Sequence, residues 1–180
     1  KPSKYQVGNG LEMWTDPGTD FWQRTHYGFR NDNGHCLLQD VEGDFTLSTQ
    51  VTFRPQGQYD QCGLVLRLDE DNWIKASTEY IDSDNSKLGS VVTNLGYSDW
   101  ATQDISSDVR QLWYRANKRG SDVRLDFSLD GVVWQQMRIC HLHQPSEKIA
   151  VGVYACSPLE NSLWCRFSWL TFGVNEWQKE

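Results

Sequence analysis

Apolar and polar positions alternate with a period of two along most of the chain, the spacing that lets a β-strand bury one face and wet the other. Between Asp44 and Phe53, the residues Phe45, Leu47, Val51 and Phe53 fall on one side and polar neighbours on the other, which predicts a half-buried strand of about ten residues. Residues 62–68 and 73–80 flank the turn-forming cluster Asp69-Glu70-Asp71-Asn72 and predict an antiparallel hairpin. Residues 88–95, 112–118, 123–129, 149–155 and 163–172 are further strands, rich in β-branched and aromatic side chains. Asp130-Gly131 is a tight-turn signal joining residues 124–129 to a strand at 132–137. Residues 105–111 have the makings of one short helical turn, but no stretch sustains apolar positions at i, i+3, i+4 and i+7. Many short strands, glycine-rich turns and no amphipathic helix predict an all-β fold of two antiparallel sheets packed as a jelly-roll sandwich.

The 180 residues fit the ~50–250 usual for one domain, so 1–180 is read as a single jelly-roll domain with a core over about 10–175. Only the first few and last few residues look loose. Seventeen Lys and Arg against twenty-four Asp and Glu give a net charge of −7, which argues against a phosphate-backbone partner. No apolar run approaches the ~18 residues of a membrane-spanning helix, and the first ten residues lack the apolar centre of a secretion signal. Neither nucleic acid nor membrane is expected as a partner. The five cysteines, Cys36, Cys62, Cys140, Cys156 and Cys165, show no Cys-x-x-Cys spacing, and four of them lie in apolar strand-like runs. They are expected to be buried free thiols, which places the chain in a reducing, cytoplasmic compartment.

Several groups of residues could carry chemistry. Alternation along residues 73–80 sends Ile74, Ala76, Thr78 and Tyr80 to the core, and Trp73, Lys75, Ser77 and Glu79 to an outward face. With Arg67 from the hairpin partner, and Trp113 and Arg115 if their strand adjoins, this face would suit a sugar or small polar ligand. The bland alternative is a solvated face of cross-strand ion pairs, each worth ~0–1 kcal/mol. Residues 21–29 hold five aromatic or imidazole rings, Phe21, Trp22, His26, Tyr27 and Phe29, more than core filling needs, so some should face a cleft. His26 is the one residue there that titrates near neutral pH and could move a proton. Tyr97-Ser98-Asp99-Trp100 reads as a turn exposing an indole beside a carboxylate at the rim of a site. Trp134 and Trp169 read as sandwich filling, while Trp14, Trp22, Trp164 and Trp177 have no assigned place.

Other motifs favour structural readings. Asp40, Glu42 and Asp44 look like acids of a turn, and Glu79 and Asp82 leave a strand on opposite faces, so neither set makes the carboxylate pair of a retaining glycosidase. Asp69-Glu70-Asp71-Asn72 lacks the glycine-centred loop of an EF-hand. His141-Leu142-His143 has no third ligand nearby in sequence, so no metal and no cofactor is expected. Nucleophile elbows, phosphate loops and dinucleotide fingerprints are absent.

The ordered motifs Thr19-Asp20-Phe21-Trp22, Thr25-His26-Tyr27-Gly28-Phe29, Val41-Glu42-Gly43-Asp44-Phe45, Tyr59-Asp60-Gln61-Cys62-Gly63-Leu64, Leu66-Arg67-Leu68-Asp69 and Asn72-Trp73-Ile74-Lys75 resemble the regulation-of-enolase protein family. Ser90-Val91-Val92-Thr93, Ser98-Asp99-Trp100, Leu112-Trp113 with Arg115, Ser128-Leu129-Asp130-Gly131 and Val151-Gly152-Val153 with Ser157-Pro158 continue the resemblance. It implies a jelly roll of the concanavalin A-like lectin/glucanase type, in a family of mostly unknown activity with one fungal member associated with regulation of enolase. The family's recurring polar and aromatic residues fall on His26, Tyr27, Gln61, Arg67, Lys75, Glu79, Asp99, Trp100, Trp113 and Arg115. The glucanase-type paired-carboxylate motif is missing, which speaks against hydrolysis by that route.

The function expected is a binding module. Arg67, Lys75 and Arg115 would neutralise an anionic metabolite or sugar derivative, Glu79 and Asp99 would accept hydroxyls, and Trp73, Trp100 or Trp113 would stack on the ligand. Two alternatives stay open: an enzyme acting on a sugar derivative with His26 and Glu79 as acid and base, and a regulatory protein that binds a metabolic enzyme.

Overall fold

The computed structural model describes residues 1–177. Its strands are β1 (Lys4–Gly8), β2 (Gly10–Trp14), β3 (Phe21–Gln23), β4 (Arg30–Asp32), β5 (His35–Glu42), β6 (Phe45–Arg54), β7 (Gln61–Arg67) and β8 (Trp73–Tyr80). They continue as β9 (Asn85–Asn94), β10 (Tyr97–Ser106), β11 (Gln111–Arg119), β12 (Asp122–Ser128), β13 (Gln135–His141), β14 (Lys148–Cys156) and β15 (Trp164–Gly173). A seven-stranded sheet in the order β1-β2-β15-β6-β11-β12-β13 faces a six-stranded sheet in the order β10-β9-β8-β7-β14-β5. The hairpin β3-β4 forms a small third sheet. The long strands pair antiparallel throughout, so the architecture is the all-β jelly-roll sandwich read from the alternation. Among the described residues, no helix is long and apolar enough to cross a membrane.

The alternating strands do what their pattern requires. Phe45, Leu47, Val51 and Phe53 of β6 pack in the main core against Leu64 and Leu66 of β7, and Ile74 and Ala76 of β8. Thr49 interrupts that apolar row, and its hydroxyl donates to the Trp169 carbonyl at 2.5 Å, where β15 bulges between Phe167 and Trp169. Across the sandwich, the buried Tyr114 hydroxyl of β11 meets the Thr78 hydroxyl of β8 at 2.6 Å, so the one phenol in this layer stays hydrogen-bonded.

Departures from the sequence reading have local causes. Residues 97–100 begin strand β10, and the turn lies one step earlier, where Leu95 and Gly96 adopt φ of 53° and 77°. Most of β10 is exposed at a sheet edge, so it carries no alternation to read. Residues 105–111 close β10 and start β11 without a helix. The Asp130 carboxylate accepts hydrogen bonds from the Val132 and Val133 amides, both at 2.8 Å, which holds residues 132–134 in a loop and delays β13 to Gln135. Trp134 and Trp169 are not core filling: Trp134 lies under the Arg115 guanidinium at 4.3 Å on the sheet's outer face, and Trp169 is 38% exposed.

The largest correction concerns β8. Its residues Trp73 and Lys75, expected on an open face, are buried, because β3-β4 and its flanking loops fold over that side of the six-stranded sheet. Phe21 and Trp22 of β3 make a second apolar cluster there with Val65, Trp73, Val91, Tyr154 and Cys156. All five cysteines are free thiols. Burial pushes the Cys36 and Cys140 thiols up to about 12, which leaves them poor nucleophiles.

Strands β7 and β8 run so close at Gly63 that a Cβ there would lie 1.9 Å from the Ala76 carbonyl oxygen. Gly63→Ala is therefore expected to destabilise the chain by about 1–3 kcal/mol, as overpacking does, read as a lower urea midpoint followed by far-ultraviolet circular dichroism. An unchanged midpoint would contradict this packing.

Candidate functional site

A buried ammonium organises the covered face. Lys75 Nζ donates to the Phe21 carbonyl and to Gln61 Oε1, both at 2.8 Å, and lies 3.7 Å from Asp20 Oδ1. Two of the ammonium's three protons are thus hydrogen-bonded, and the Asp20 carboxylate adds a charge partner beyond hydrogen-bond distance. Gln61 Oε1 also accepts from the Tyr154 hydroxyl at 3.1 Å, and Gln61 Nε2 donates to Glu79 Oε2 at 3.0 Å and to the Tyr59 carbonyl at 3.2 Å. The amide thus links the lysine to the glutamate and has no freedom to flip.

Glu79 ends this network, less buried than Lys75 and Gln61, and desolvation pushes its carboxyl up from 4.5 to about 7. Lys75 works against that rise, and Asp20 adds to it.

The hairpin supplies the aromatic wall. Between β3 and β4 the chain passes through Arg24, His26 and Gly28 at φ of 57°, 63° and 78°, a tight bend that throws its rings to one side. The bend is closed by hydrogen bonds from the Arg24 amide to the Phe29 carbonyl at 2.8 Å and from the Gly28 amide to the Arg24 carbonyl at 2.7 Å. Trp22 Nε1 donates to the Thr25 carbonyl at 2.9 Å. Tyr27 packs edge-on to Trp22 with centroids 5.4 Å apart and stacks on Phe29 at 5.6 Å, while Trp22 also meets Trp100 of β10 at 6.5 Å. Buried Gln23 fastens the hairpin to the β7-β8 turn, donating to the Glu70 carbonyl at 3.0 Å and accepting from Arg30 Nε at 2.8 Å.

Together these elements enclose a pocket of about 400 Å³. Trp22, Tyr27, Phe29, Tyr59 and Trp100 form its aromatic lining, and Asp20, Asn31, Gln61, Lys75 and Glu79 its polar lining. Val91, Pro158 and Leu159 complete the wall. Tyr59 holds φ at 71°, its amide bound to the Tyr80 carbonyl at 2.7 Å, so one wall residue sits in a backbone conformation that ordinary side chains seldom adopt.

Of the residues expected at a site, Tyr27, Gln61, Lys75, Glu79 and Trp100 come together here. His26 is not among the lining residues, and its ring packs against Tyr27 at 4.7 Å. Arg67 is taken up by a two-pronged pair with Asp32, at 2.6 and 2.7 Å. Asp99 pairs with Arg138 at 2.7 Å, away from the pocket. Trp113 and Arg115 do not adjoin β7 and β8: β11 lies in the seven-stranded sheet between β6 and β12, and Arg115 pairs there with Asp126 at 3.2 Å. Trp73 is buried beneath the pocket, so it has no ring face to offer a ligand.

The sequence reading missed Asp20, Asn31, Tyr59, Pro158 and Leu159. Asp20 borders the flagged ring cluster, whereas the others lie in loops or in a three-residue strand with no periodic signal. Among the described residues, no three His, Cys, Asp or Glu gather as a metal site. His141 and His143 have rings 5.6 Å apart, and His141 Nδ1 meets Asp122 Oδ1 at 2.6 Å.

Comparison with known proteins finds relatives of the whole chain. A protein-family model described as "Protein of unknown function (DUF1349)" matches residues 1–174. Regulation of enolase protein 1 of Saccharomyces cerevisiae (strain ATCC 204508 / S288c) is 34% identical over 166 residues, which cover 92% of this chain and 82% of the yeast protein. The crystal structure of a functionally unknown protein from Saccharomyces cerevisiae is 32% identical with a TM-score of 0.90, over 97% of this chain and 93% of that one. The GH43 BlXynB protein from Bacillus licheniformis aligns with a TM-score of 0.70 at 14% identity, over 97% of this chain and 35% of that one, a likeness of fold alone.

The raised Glu79 carboxyl makes stability depend on pH. Folding favours its protonated form, so the contribution is complete below the unfolded value of 4.5 and is lost as pH rises through about 7. Wild-type stability is expected to fall by on the order of 1–3 kcal/mol from this group between pH 5 and pH 8, and Glu79→Gln is expected to flatten that loss. Urea midpoints at the two pH values check both signs, and an equal fall in the variant would refute the assignment.

Proposed function

The chain belongs to the DUF1349 protein family, with the yeast Regulation of enolase protein 1 among its relatives, and for this member we propose a binding module whose pocket takes an uncharged carbohydrate. The observation that carries the reading is the pairing of an aromatic wall with carboxylate acceptors around a lysine whose charge is already met by two hydrogen bonds and a carboxylate at 3.7 Å. Ring faces suit the C–H faces of a sugar, and the second oxygens of Glu79 and Asp20 suit its hydroxyls. The anionic ligand expected from sequence loses its support, because Arg67 is paired with Asp32 and Arg115 lies on the other sheet. The five free thiols support a reducing, cytoplasmic setting for this activity.

One observation favours a second reading as an enzyme on a sugar derivative. A carboxyl raised to about 7, with a second acidic side chain in the same pocket, suits a proton donor near neutral pH. Glu79 would be the proton donor, with Asp20 rather than His26 as its partner, since Asp20 lines the pocket.

Calorimetric titration with neutral mono- and oligosaccharides and their phosphates tests the binding reading. A neutral sugar is expected to bind more tightly than its phosphate, and Trp100→Ala to weaken it by about tenfold through loss of one stacking face. Preference for the phosphate, or no neutral sugar bound across the panel, would sink it. Turnover of a bound sugar with a bell-shaped pH profile that loses one limb in Glu79→Gln would establish the enzyme reading instead.

A further inference from the structure

The outer face of the seven-stranded sheet, opposite the pocket, carries side chains that the core does not need. Register sets Arg54, Trp164, Trp14 and Lys4 in one row across β6, β15, β2 and β1, and Thr52, Arg166, Glu12 and Gln6 in the next. With strands ~4.8 Å apart, each row spans about 14 Å. The Arg54 guanidinium lies 5.0 Å from the Trp164 ring centroid, and the Lys4 ammonium 4.0 Å from that of Trp14. Trp164 Nε1 donates to Glu12 Oε2 at 3.1 Å, which fixes the plane of that indole. Two partly buried indoles thus sit side by side with a cation over each. A third row adds Trp113 and Trp169 on either side of Gln50.

The charge of this face opposes that of the whole chain. Net charge is −7, yet among the described residues Lys4, Arg54 and Arg166 have no carboxylate within ion-pair distance, and Glu12 is the one acid in the first two rows. Arg166 Nη2 donates to the Asn9 carbonyl at 2.7 Å, while its buried Nε has no hydrogen-bond partner.

We infer that this face docks a protein partner through an acidic surface with an apolar centre. Trp and Arg are the residue types that dominate interface energies, and here Trp164, Trp14 and Arg166 occupy the middle of the rows with Glu12, while Arg54, Lys4 and neutral Thr52 and Gln6 stand at their ends. Stacking on an indole holds a guanidinium in place before the partner arrives, which lowers the cost of ordering it. A sugar chain would need open ring faces, and cations already cover one face of Trp14 and of Trp164. A polyanion would need an unbroken line of cations, and Glu12 interrupts it. This inference stands apart from the pocket reading, since no pocket residue lies on the face.

A random copolymer of glutamate and tyrosine is the probe, titrated calorimetrically into the full chain at about 50 mM salt, with polyglutamate and polygalacturonate as companions. The glutamate-tyrosine copolymer is expected to bind more tightly than either companion, to weaken as salt rises, and to lose about tenfold in affinity in the double variant Arg54→Gln, Arg166→Gln. Lys4→Gln, on an exposed strand, is expected to give a smaller loss in the same direction and guards against misfolding of the double variant. No binding of the copolymer, equal or tighter binding of polygalacturonate, or an affinity unmoved by these substitutions would overturn the inference.

Discussion

Burying the Lys75 ammonium is the constraint on which the ligand side of this molecule depends. An unpaired charge in an apolar surround is costly, so the sequence must bring oxygen acceptors to wherever the lysine goes. Those acceptors come from two places far apart in the chain: Gln61 on the adjacent strand, and the Phe21 carbonyl with Asp20 at the start of the hairpin. Meeting the need of one ammonium therefore draws residues 20 and 21 down onto the sheet. The indoles and phenol rings that follow them become the pocket wall.

The six-stranded sheet is consequently covered on both faces, in unlike ways. Toward the seven-stranded sheet it meets a broad apolar layer, crossed by a hydrogen bond between the Tyr114 and Thr78 hydroxyls. On its other face it meets a smaller cluster in which aromatic rings surround a charged network. The second layer is where polar groups are enclosed in a confined volume, so it is also where a carboxyl departs from its ordinary protonation, as Glu79 does.

Strands with one face in the main core were legible from sequence, because alternation encodes burial on one side. β6, β7, β8, β9, β11, β12, β14 and β15 fall within a few residues of where the pattern put them. β1, β5 and β10 are sheet-edge strands with mostly exposed side chains, and β3 and β4 have three residues each, so none carries a periodic signal. At the site, alternation correctly put Lys75 and Glu79 on the same face, but it cannot tell an open face from one roofed by a distant hairpin. It also cannot say which sheet a strand joins, and that is how Trp113 and Arg115 were set beside residues that lie in the other layer. The abundance of tryptophan was visible at once, while its division between a pocket and the opposite outer face depends on pairing order, which no local pattern contains.

The hairpin that roofs the pocket is a contiguous stretch of about fifteen residues laid on a scaffold whose own strands pair without it. Exchanging that stretch would alter the ring wall and one carboxylate together and leave the main core's packing intact, provided an acceptor for Lys75 is kept. Selectivity and foldability are thus written in separable parts of the chain, which gives such a protein room to diversify its ligand by local change, with the lysine as the socket into which any replacement must plug.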